Sequence, residues 1–208
     1  YDQQQYDKAV AEFSEAIRLN PNEGSPYIGR GASYMYKDEP RKAISDFTEA
    51  LRLSPGQAFA HMQRGVAYQR AGNADQALAD YTEAHRLTPK DPSPLVSRGI
   101  VKYTKKGLFD EALNDFDKAL KLNPNEVNAL INRGVTYRQK NDPDRAIDDF
   151  NKALKIGLQT SSLLKLVARD RDAQTAQLAD QVAHALYERG MANIDKQRYE
   201  AALEDFAK

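Results

Sequence analysis

The chain has 208 residues, and its 30 Lys and Arg balance 30 Asp and Glu, so the formal net charge is zero. A neutral balance argues against a polybasic nucleic-acid binder, whose affinity depends on many phosphate contacts. A content of 41% hydrophobic residues supports a core and argues against an acidic disordered chain. Mean hydropathy is −0.72 and no apolar run approaches the ~18 residues that span a bilayer, so we expect no membrane insertion.

Cysteine is absent, which excludes disulfides, thiolate metal sites and a cysteine nucleophile. No signal peptide is visible, but the chain starts at Tyr1 rather than Met. The composition therefore leaves two locations open, the cytoplasm and, if an upstream signal precedes this segment, the periplasm.

A period of about 34 residues runs through the chain. The Arg-Gly dipeptide recurs at this step, with its arginine at Arg30, Arg64, Arg98 and Arg133, and proline keeps the same step at Pro21, Pro55, Pro89 and Pro124. An Ala-x3-aromatic-x2-Ala element recurs as well, at Ala43/Phe47/Ala50, Ala77/Tyr81/Ala84, Ala112/Phe116/Ala119 and Ala146/Phe150/Ala153, with partial copies at Ala9/Phe13/Ala16 and at Gly190, Ala202 and Phe206. Agreement at this many offsets indicates a repeat protein.

The period divides the chain, in order, into a partial repeat at 1–23, full repeats at 24–57, 58–91, 92–126 and 127–160, an insert at 161–182, and a partial repeat at 183–208. Each full repeat predicts two helices of ~12–14 residues, in which the glycine of the first helix meets the alanines of the second. Residues suited to a positive-φ helix stop lie between the helices, namely Gly72, Gly107 and Asn141. An aspartate opens the second helix at Asp75, Asp110 and Asp144, where it complements the helix dipole.

This pattern resembles the tetratricopeptide-repeat (TPR) family, which places a large residue, then Gly, Tyr, Ala, Phe and Pro at fixed offsets over 34 residues. Residues 24–57 match it with Tyr27, Gly31, Tyr34, Ala43, Phe47, Ala50 and Pro55. Arg replaces the family's Leu before the glycine throughout. The resemblance covers all but the 22-residue insert and implies an all-α fold, a right-handed superhelical solenoid of antiparallel helix pairs. Because the chain begins and ends inside a repeat, we expect its five to six repeats to belong to a longer array.

One repeat, 92–126, has 35 positions. Gly99 and Gly107 are eight residues apart, whereas the matching Gly65 and Gly72 are seven apart. The extra residue falls near 103–106, at the end of the first helix. We therefore predict a π-bulge or a longer turn at that point.

A second departure separates Arg133 from Arg189 by 56 residues, one 34-residue repeat plus 22, and puts Leu158 where the other repeats have proline. Apolar residues at helical spacing lie inside the insert, at Leu163, Leu166 and Val167. We interpret the insert as an extra helix capped by Thr160 or Ser161, a helical linker between two sub-arrays. The alternative left open is that residues are missing here and the numbering has closed over them.

The most regular charged feature pairs the Arg before each Gly with an Asp sixteen residues later, or seventeen in the longer repeat. The pairs are Arg30/Asp46, Arg64/Asp80, Arg98/Asp115, Arg133/Asp149 and Arg189/Asp205. The planar guanidinium suits bidentate contact with a carboxylate. We interpret the pairs as structural ion pairs between first and second helices, within a repeat or between neighbours; the alternative is a row of arginines for an acidic ligand.

No catalytic constellation is visible. His61 stands at the large-residue position of its repeat, and His184 with Glu188 forms a two-ligand helix face that lacks a third ligand. Every recurrent glycine falls in a helix or a turn, so no phosphate-binding loop is indicated. We predict no enzymatic activity, no cofactor and no metal site.

The resemblance implies a concave ligand surface, lined by positions 2, 5, 6, 9, 12 and 13 of each first helix. These include Ile28, Met35 and Tyr36; Phe59, Met62, Gln63, Val66, Gln69 and Arg70; Val96, Ser97 and Ile100; and Asn128, Ile131, Asn132, Val135 and Arg138. Chaperone-binding members of the family clamp a C-terminal carboxylate with Lys and Asn at positions 5 and 9. Those positions are apolar here, at Ile28/Ala32, Met62/Val66, Val96/Ile100 and Ile131/Val135, which argues against a chaperone-tail clamp.

An apolar groove with methionines suits an amphipathic helix or an extended peptide. The alternative is that some of these side chains pack between repeats or are covered by another helix of the chain. We therefore predict a protein-interaction module or assembly scaffold with a protein or peptide partner. Two other functions stay open: the TPR portion of a larger enzyme whose catalytic domain lies elsewhere, and a homo-oligomer formed through repeat ends.

Overall fold

The computed structural model describes residues 3–167, 172–195 and 199–207. It separates into two compact units, Tyr1–Lys106 and Gly107–Lys208. All regular elements in these described ranges are helices, with no strand among them. The predicted all-α fold class is confirmed.

The helices of the first unit pack in chain order, each against the next. They are α1 (Gln3–Leu19), α2 (Gly24–Tyr36), α3 (Pro40–Leu53), α4 (Ala58–Arg70), α5 (Ala74–Leu87) and α6 (Ser93–Val101), which continues into a π-helical segment (Lys102–Lys106). The first helices of neighbouring repeats, α2 and α4, also touch. An apolar cleft lies between these two helices.

The second unit follows the same plan with two longer helices. Its helices are α7 (Phe109–Leu122), α8 (Val127–Gln139), α9 (Pro143–Val167), α10 (Asp172–Asp195) and α11 (Tyr199–Phe206). Here α8 packs against both α7 and α9, and α10 packs against α9, α11 and α8.

The close approach within a helix pair depends on the glycine of the Arg-Gly dipeptide. A Cβ added to Gly65 would lie 2.6 Å from the Tyr81 ring, and one added to Gly134 would lie 2.6 Å from the Phe150 ring. Both rings are fully buried. Any larger residue at the glycine would occupy space that the ring already fills, which explains why the two recur together.

Positive-φ residues end the first helices. Gly72, Gly107 and Asn141 have φ of 82°, 62° and 60°. The structure adds Asp38, with φ of 56°, at the same place in the repeat 24–57. Asp, like Asn, tolerates the left-handed conformation better than other side chains, so Asp38 completes the series that the sequence pattern left incomplete.

The extra residue of the repeat 92–126 is taken up inside the first helix. Lys102–Lys106 forms a π-helical turn directly after α6, as the 35-residue spacing predicts, and Gly107 keeps its positive φ. A π turn absorbs one residue without changing the turn that follows.

The prediction of a separate helix capped by Thr160 or Ser161 is wrong. Helix α9 runs without interruption from Pro143 through both residues to Val167, and α10 runs from Asp172 to Asp195. No proline stands at position 158 to stop the helix, so the insert lengthens the two flanking helices. Residues 168–171, which include part of the charged run, lie outside the described residues. The division of the chain into repeats at the predicted limits stays a prediction.

Helix α5 carries a histidine where the equivalent positions of other second helices are apolar. His85 aligns with Leu51, Leu120 and Leu154, which are buried. Its Nδ1 is buried and has no hydrogen-bond partner in the described part of the chain. A buried unpaired polar atom disfavours folding.

We expect His85→Leu to raise the free energy of unfolding by about 1 kcal/mol, because it replaces that unpaired nitrogen by the apolar side chain of the other repeats. Urea unfolding followed by circular dichroism measures the change. Leu51→His, the reverse substitution in the preceding repeat, is the matched control and should destabilise. A destabilised His85→Leu variant would contradict this reading of the site.

Candidate protein-binding surface

The arginines of the Arg-Gly dipeptides are held by the chain's own aspartates. Arg30 donates from Nε and Nη2 to the two carboxylate oxygens of Asp46, at 2.8 and 2.7 Å. The same bidentate contact joins Arg64 to Asp80, Arg133 to Asp149 and Arg189 to Asp205. Each of these pairs ties the first helix of a repeat to its second.

The third arm of each arginine reaches the second helix of the preceding repeat. Nη1 donates to a polar side chain at one recurrent position, occupied in turn by Ser14, Thr48, Thr82, Asp117 and Asn151. Arg189 reaches Asn151 across 38 residues, because the 22-residue insert lies between them. The interpretation as structural pairs, within repeats and between neighbours, describes four of the five predicted pairs.

Asp115, the aspartate of the fifth predicted pair, is a core residue of the second unit. It lies on α7 beside Phe116 and is 0% exposed, the most deeply buried of the five aspartates. A carboxylate without exposed surface cannot meet a ligand from solvent, so the burial of Asp115 favours the structural interpretation of its pair over the ligand-binding alternative. Its predicted partner, Arg98, belongs to the first unit, so the pairing of Asp115 with Arg98 stays a prediction.

Burial and the contacts with the partner side chain together shift the pKa values of these groups. Burial raises the pKa of the Asp149 carboxyl above its usual value although Arg133 opposes the shift. The pKa of Arg133 is itself raised, first by its hydrogen bond to Asp149 and further by Asp117. The aspartates of the four observed pairs are nearly inaccessible, so their arginines are engaged by internal partners and do not form an open row for an acidic ligand.

A second recurrent ion pair was missed by the sequence analysis. A lysine just after a first helix contacts an aspartate near the start of the preceding second helix, as Lys37 with Asp7, Lys106 with Asp75 and Lys140 with Asp110. The spacing of 30 or 31 residues is the available signal. The aspartates are exposed, so each pair contributes little to stability.

An apolar cleft of about 210 Å³ lies between α2 and α4. Its lining consists of Ala32, Met35, Tyr36, Phe59, Gln63, Val66 and Arg70. Six of these seven were among the residues expected on the concave surface, and Ala32 is the addition. Helix α2 contributes Ala32, Met35 and Tyr36 to the lining, and α4 contributes the other four residues.

The two aromatic walls of the cleft are unusually open. Tyr36 is 72% exposed and Phe59 is 59% exposed, whereas Met35 is buried at the base. On its other side the Tyr36 ring stacks on Tyr6, with centroids 4.9 Å apart and planes 8° from parallel. Arg70 donates from Nη1 to the Met35 carbonyl at 3.0 Å, which satisfies an acceptor at the C-terminal end of α2.

Several other expected surface residues belong instead to the core. Met62 packs against the cluster of Ala77, Tyr81 and Val101, and Ile28 packs against the cluster that contains Phe47. Gln69 accepts a hydrogen bond from the Tyr81 hydroxyl at 3.0 Å. These contacts support the alternative that part of this surface packs within the chain.

The remaining expected surface residues of α6 and α8 are less open than Tyr36 and Phe59, apart from one. Val96 and Ile131 are 6% and 2% exposed. Asn128 is exposed. The other residues of this set are half-buried, namely Ser97, Ile100, Asn132, Val135 and Arg138. Position 5 of the repeat is therefore mainly a packing position.

In the second unit, α10 occupies part of the expected surface of α8. Gln181 donates to the Asn128 side-chain oxygen at 2.9 Å, and Arg138 pairs with Glu188 and, at 3.5 Å, with Asp195. A cleft of about 350 Å³ remains, lined by Asn128, Ile131, Asn132, Asp180, Gln181 and His184. Its lining is mostly polar, in contrast to the cleft of the first unit.

Two of the three histidines, His61 and His184, have local partners. His61 Nδ1 lies 2.9 Å from the Asp80 carboxylate, and His184 Nε2 lies 3.5 Å from Glu188. Across the described ranges no three His, Cys, Asp or Glu side chains are grouped so that they could hold a metal ion. None of the helices in those ranges is both long enough and apolar enough to cross a membrane.

Sequence comparison finds one family. Models of the tetratricopeptide repeat match residues 1–23, 58–91 and 103–158, which together make up more than half of the chain. No curated protein has a sequence that matches this one significantly.

Structure comparison finds the same fold. PilW, described as a widely conserved type IV pilus biogenesis factor, superposes with a TM-score of 0.77 at 19% identity, over 98% of this chain and 84% of its own. MamA superposes with a TM-score of 0.71 at 22% identity, over 76% of this chain and 91% of its own. YrrB, described as a TPR protein with an unusual peptide-binding site, gives 0.63 at 25% identity, over 74% and 78%. These likenesses confirm the fold class, a solenoid of helix pairs.

Proposed function

Since the chain belongs to the tetratricopeptide-repeat family, we propose that it is a protein-interaction scaffold whose first unit binds a peptide segment in the cleft between α2 and α4. The observation that carries the proposal is the cleft itself, in which two exposed aromatic side chains, Tyr36 and Phe59, flank an apolar base. Exposed large apolar groups around a concavity are typical of interaction sites.

The geometry favours a peptide over a small cofactor. The cleft opens between two helices and its lining mixes apolar carbons with one amide, Gln63, and one guanidinium, Arg70. Such a surface can accept an apolar anchor side chain while polar groups contact the neighbouring backbone. YrrB, a relative of 25% identity, is described as having a peptide-binding site, which supports the same ligand class.

The apolar residues at positions 5 and 9 argue against a ligand held by its terminal carboxylate. In the first two full repeats these are Ile28/Ala32 and Met62/Val66, and neither pair offers a Lys or an Asn. The proposed ligand is therefore an internal segment of a partner, recognised through an anchor side chain. The scaffold role requires no catalytic group.

The test selects phage-displayed random 12-residue peptides on the folded chain and measures the affinity of the best synthetic peptide by fluorescence anisotropy. We expect Phe59→Ala and Tyr36→Ala each to weaken binding by about tenfold, because each removes one wall of the cleft. Leu19→Ala is the matched control: Leu19 is 69% exposed but lies on α1, outside the cleft, so its loss should leave the affinity unchanged.

Both substitutions lie at exposed positions, so circular dichroism should report an unchanged fold. Charged substitutions at Met62 are unsuitable for this purpose, because Met62 packs against the core and a charge there would destabilise the unit. The proposal is wrong if no peptide is enriched, or if the selected peptides bind equally well to the Phe59 and Tyr36 variants.

A further inference from the structure

We propose that the α2/α4 cleft selects peptide segments in which an apolar or aromatic side chain lies close to an Asp or Glu, and that Arg70 binds this carboxylate. The inference rests on the proposed function and adds the chemistry of the ligand. It follows from the charges around the cleft and from the state of the Arg70 side chain.

The cleft has a single sign of charge. Among its lining residues Arg70 alone carries a formal charge, and no carboxylate takes part in the lining. Arg70 is exposed, so solvent partly screens its attraction for an anion, but no charge of opposite sign in the lining competes with that attraction. The local charge therefore favours an acidic ligand although the whole chain is neutral.

Arg70 retains most of its donor capacity. Its Nη1 contacts the Met35 carbonyl, and in the described part of the chain Arg70 forms no ion pair. A guanidinium has five N–H donors in a planar fork that matches a carboxylate. The bond to the α2 carbonyl holds the fork at the edge of the cleft, which reduces the entropy lost when a carboxylate binds.

Other arginines of the first helices show the contrast. Arg30, Arg64, Arg133 and Arg189 each hold a buried aspartate. Arg138 lies one position earlier in its repeat than Arg70 does in its own. It contacts Glu188 and Asp195 of α10. Within the second unit, then, an arginine near the end of a first helix already binds the carboxylates of a helix packed beside it.

The Gln63 amide completes the recognition surface. It lies in the lining, and the structure shows no hydrogen bond from its side chain to the described residues. An amide can donate to and accept from a peptide backbone. An anchor side chain between Tyr36 and Phe59, a backbone contact at Gln63 and a carboxylate at Arg70 together define the ligand class.

The experiment is a double-mutant cycle between protein and peptide. Peptides selected on the wild-type chain should be enriched in Asp or Glu next to an apolar residue. Changing that acid to its amide should weaken binding to the wild-type chain by about tenfold, and should have little effect on Arg70→Gln. Arg70→Lys should retain part of the affinity and lose more of it in high salt, because the charge remains but the fork is lost.

Arg41→Gln is the matched control. Arg41 is an exposed arginine at the start of α3, outside the cleft lining, so the same change of charge should leave the affinity unchanged. Circular dichroism verifies that Arg70→Gln remains folded after the loss of its bond to Met35.

The outcomes separate this inference from the proposed function. If Phe59→Ala weakens binding while Arg70→Gln does not, or if the selected peptides carry no acid preference, the acidic class is wrong and the peptide-binding cleft stands. If neither Phe59→Ala nor Arg70→Gln weakens binding, the ligand lies elsewhere and both are overturned.

Discussion

Replacing Arg133 by Met is expected to lower the free energy of unfolding by about 3 kcal/mol, because it leaves the Asp149 carboxylate buried without the two donors that hold it. Asp149 is 5% exposed and accepts from Arg133 at 2.8 and 2.6 Å. The substitution also removes the contact of Arg133 with Asp117 in the preceding repeat. Urea unfolding followed by circular dichroism measures the loss.

The double variant Arg133→Met/Asp149→Leu should be more stable than Arg133→Met alone. Removing both partners of a buried ion pair takes away the unpaired charge together with its donors. Arg52→Met is the matched control for losing an arginine, since Arg52 is exposed and pairs with Glu49 three residues away. Its loss should cost less than about 0.5 kcal/mol. A double variant less stable than Arg133→Met would show that the pair itself, and not the stranded carboxylate, determines the stability.

The loss caused by Arg133→Met should depend on pH. Burial already places the folded-state pKa of Asp149 above its usual value. A carboxyl group whose pKa is higher in the folded than in the unfolded state makes its full contribution to stability at pH values below the unfolded pKa. That contribution is lost as the pH rises through the folded pKa. Without Arg133 the folded pKa rises further. The difference in stability from the wild-type chain should therefore be smaller at about pH 4 than at neutral pH, because Asp149 can take up a proton.

Gly134→Ala is expected to lower the free energy of unfolding by about 2 kcal/mol, because the added methyl group forces the α8 and α9 helices apart or displaces the Phe150 ring. The new Cβ would lie 2.6 Å from that ring, closer than van der Waals contact allows, and the ring is fully buried. The same unfolding experiment measures the loss. Gly56→Ala is the control, since no neighbouring heavy atom lies within 4 Å of the added Cβ.

A second substitution tests the packing explanation directly. Phe150→Leu shortens the side chain that the new methyl group would strike, so the double variant Gly134→Ala/Phe150→Leu should be more stable than the sum of the two single losses predicts. Additive losses would mean that the glycine acts through backbone conformation and not through contact with the ring.

The predicted concave surface shows how much of a binding site can be identified from the position of residues within a repeat. Six of the seven residues that line the α2/α4 cleft were identified from their position in the repeat, because a helix presents the same positions to the same side in each copy. Position alone did not distinguish open from packed side chains. Phe59 is exposed whereas Met62, three residues later on the same helix, packs against Tyr81 and Val101. That difference depends on the size of the side chains that other helices bring against each residue. The position of a residue within its repeat does not specify those side chains.

The 22-residue insert shows a second limit of prediction from sequence, which concerns where a helix begins and ends. Its helical content followed from local apolar spacing, but its ends did not. The capping pattern at Thr160 and Ser161 was wrong because a polar residue begins a helix only where the preceding residues are not already helical. Where Leu158 replaces proline, nothing interrupts the helix that starts at Pro143.

The sequence by itself determined the repeat and the helix pairs, because both depend on residues at constant spacing along the chain, and it located the extra residue of the repeat 92–126 near 103–106. Only the structure decided that the repeat glycine contacts the aromatic ring of the second helix, and that the extra residue forms a π turn and not a longer turn. The sequence also indicated the arginine–aspartate pairs, because residues sixteen positions apart lie on the first and second helices of the same repeat. Only the tertiary structure decided how deeply each aspartate is buried and which arginines are occupied, because both depend on neighbours brought from other helices. Arg138 contacts Glu188 from fifty residues away, whereas Arg70 donates to a backbone carbonyl and has no carboxylate partner in the described part of the chain.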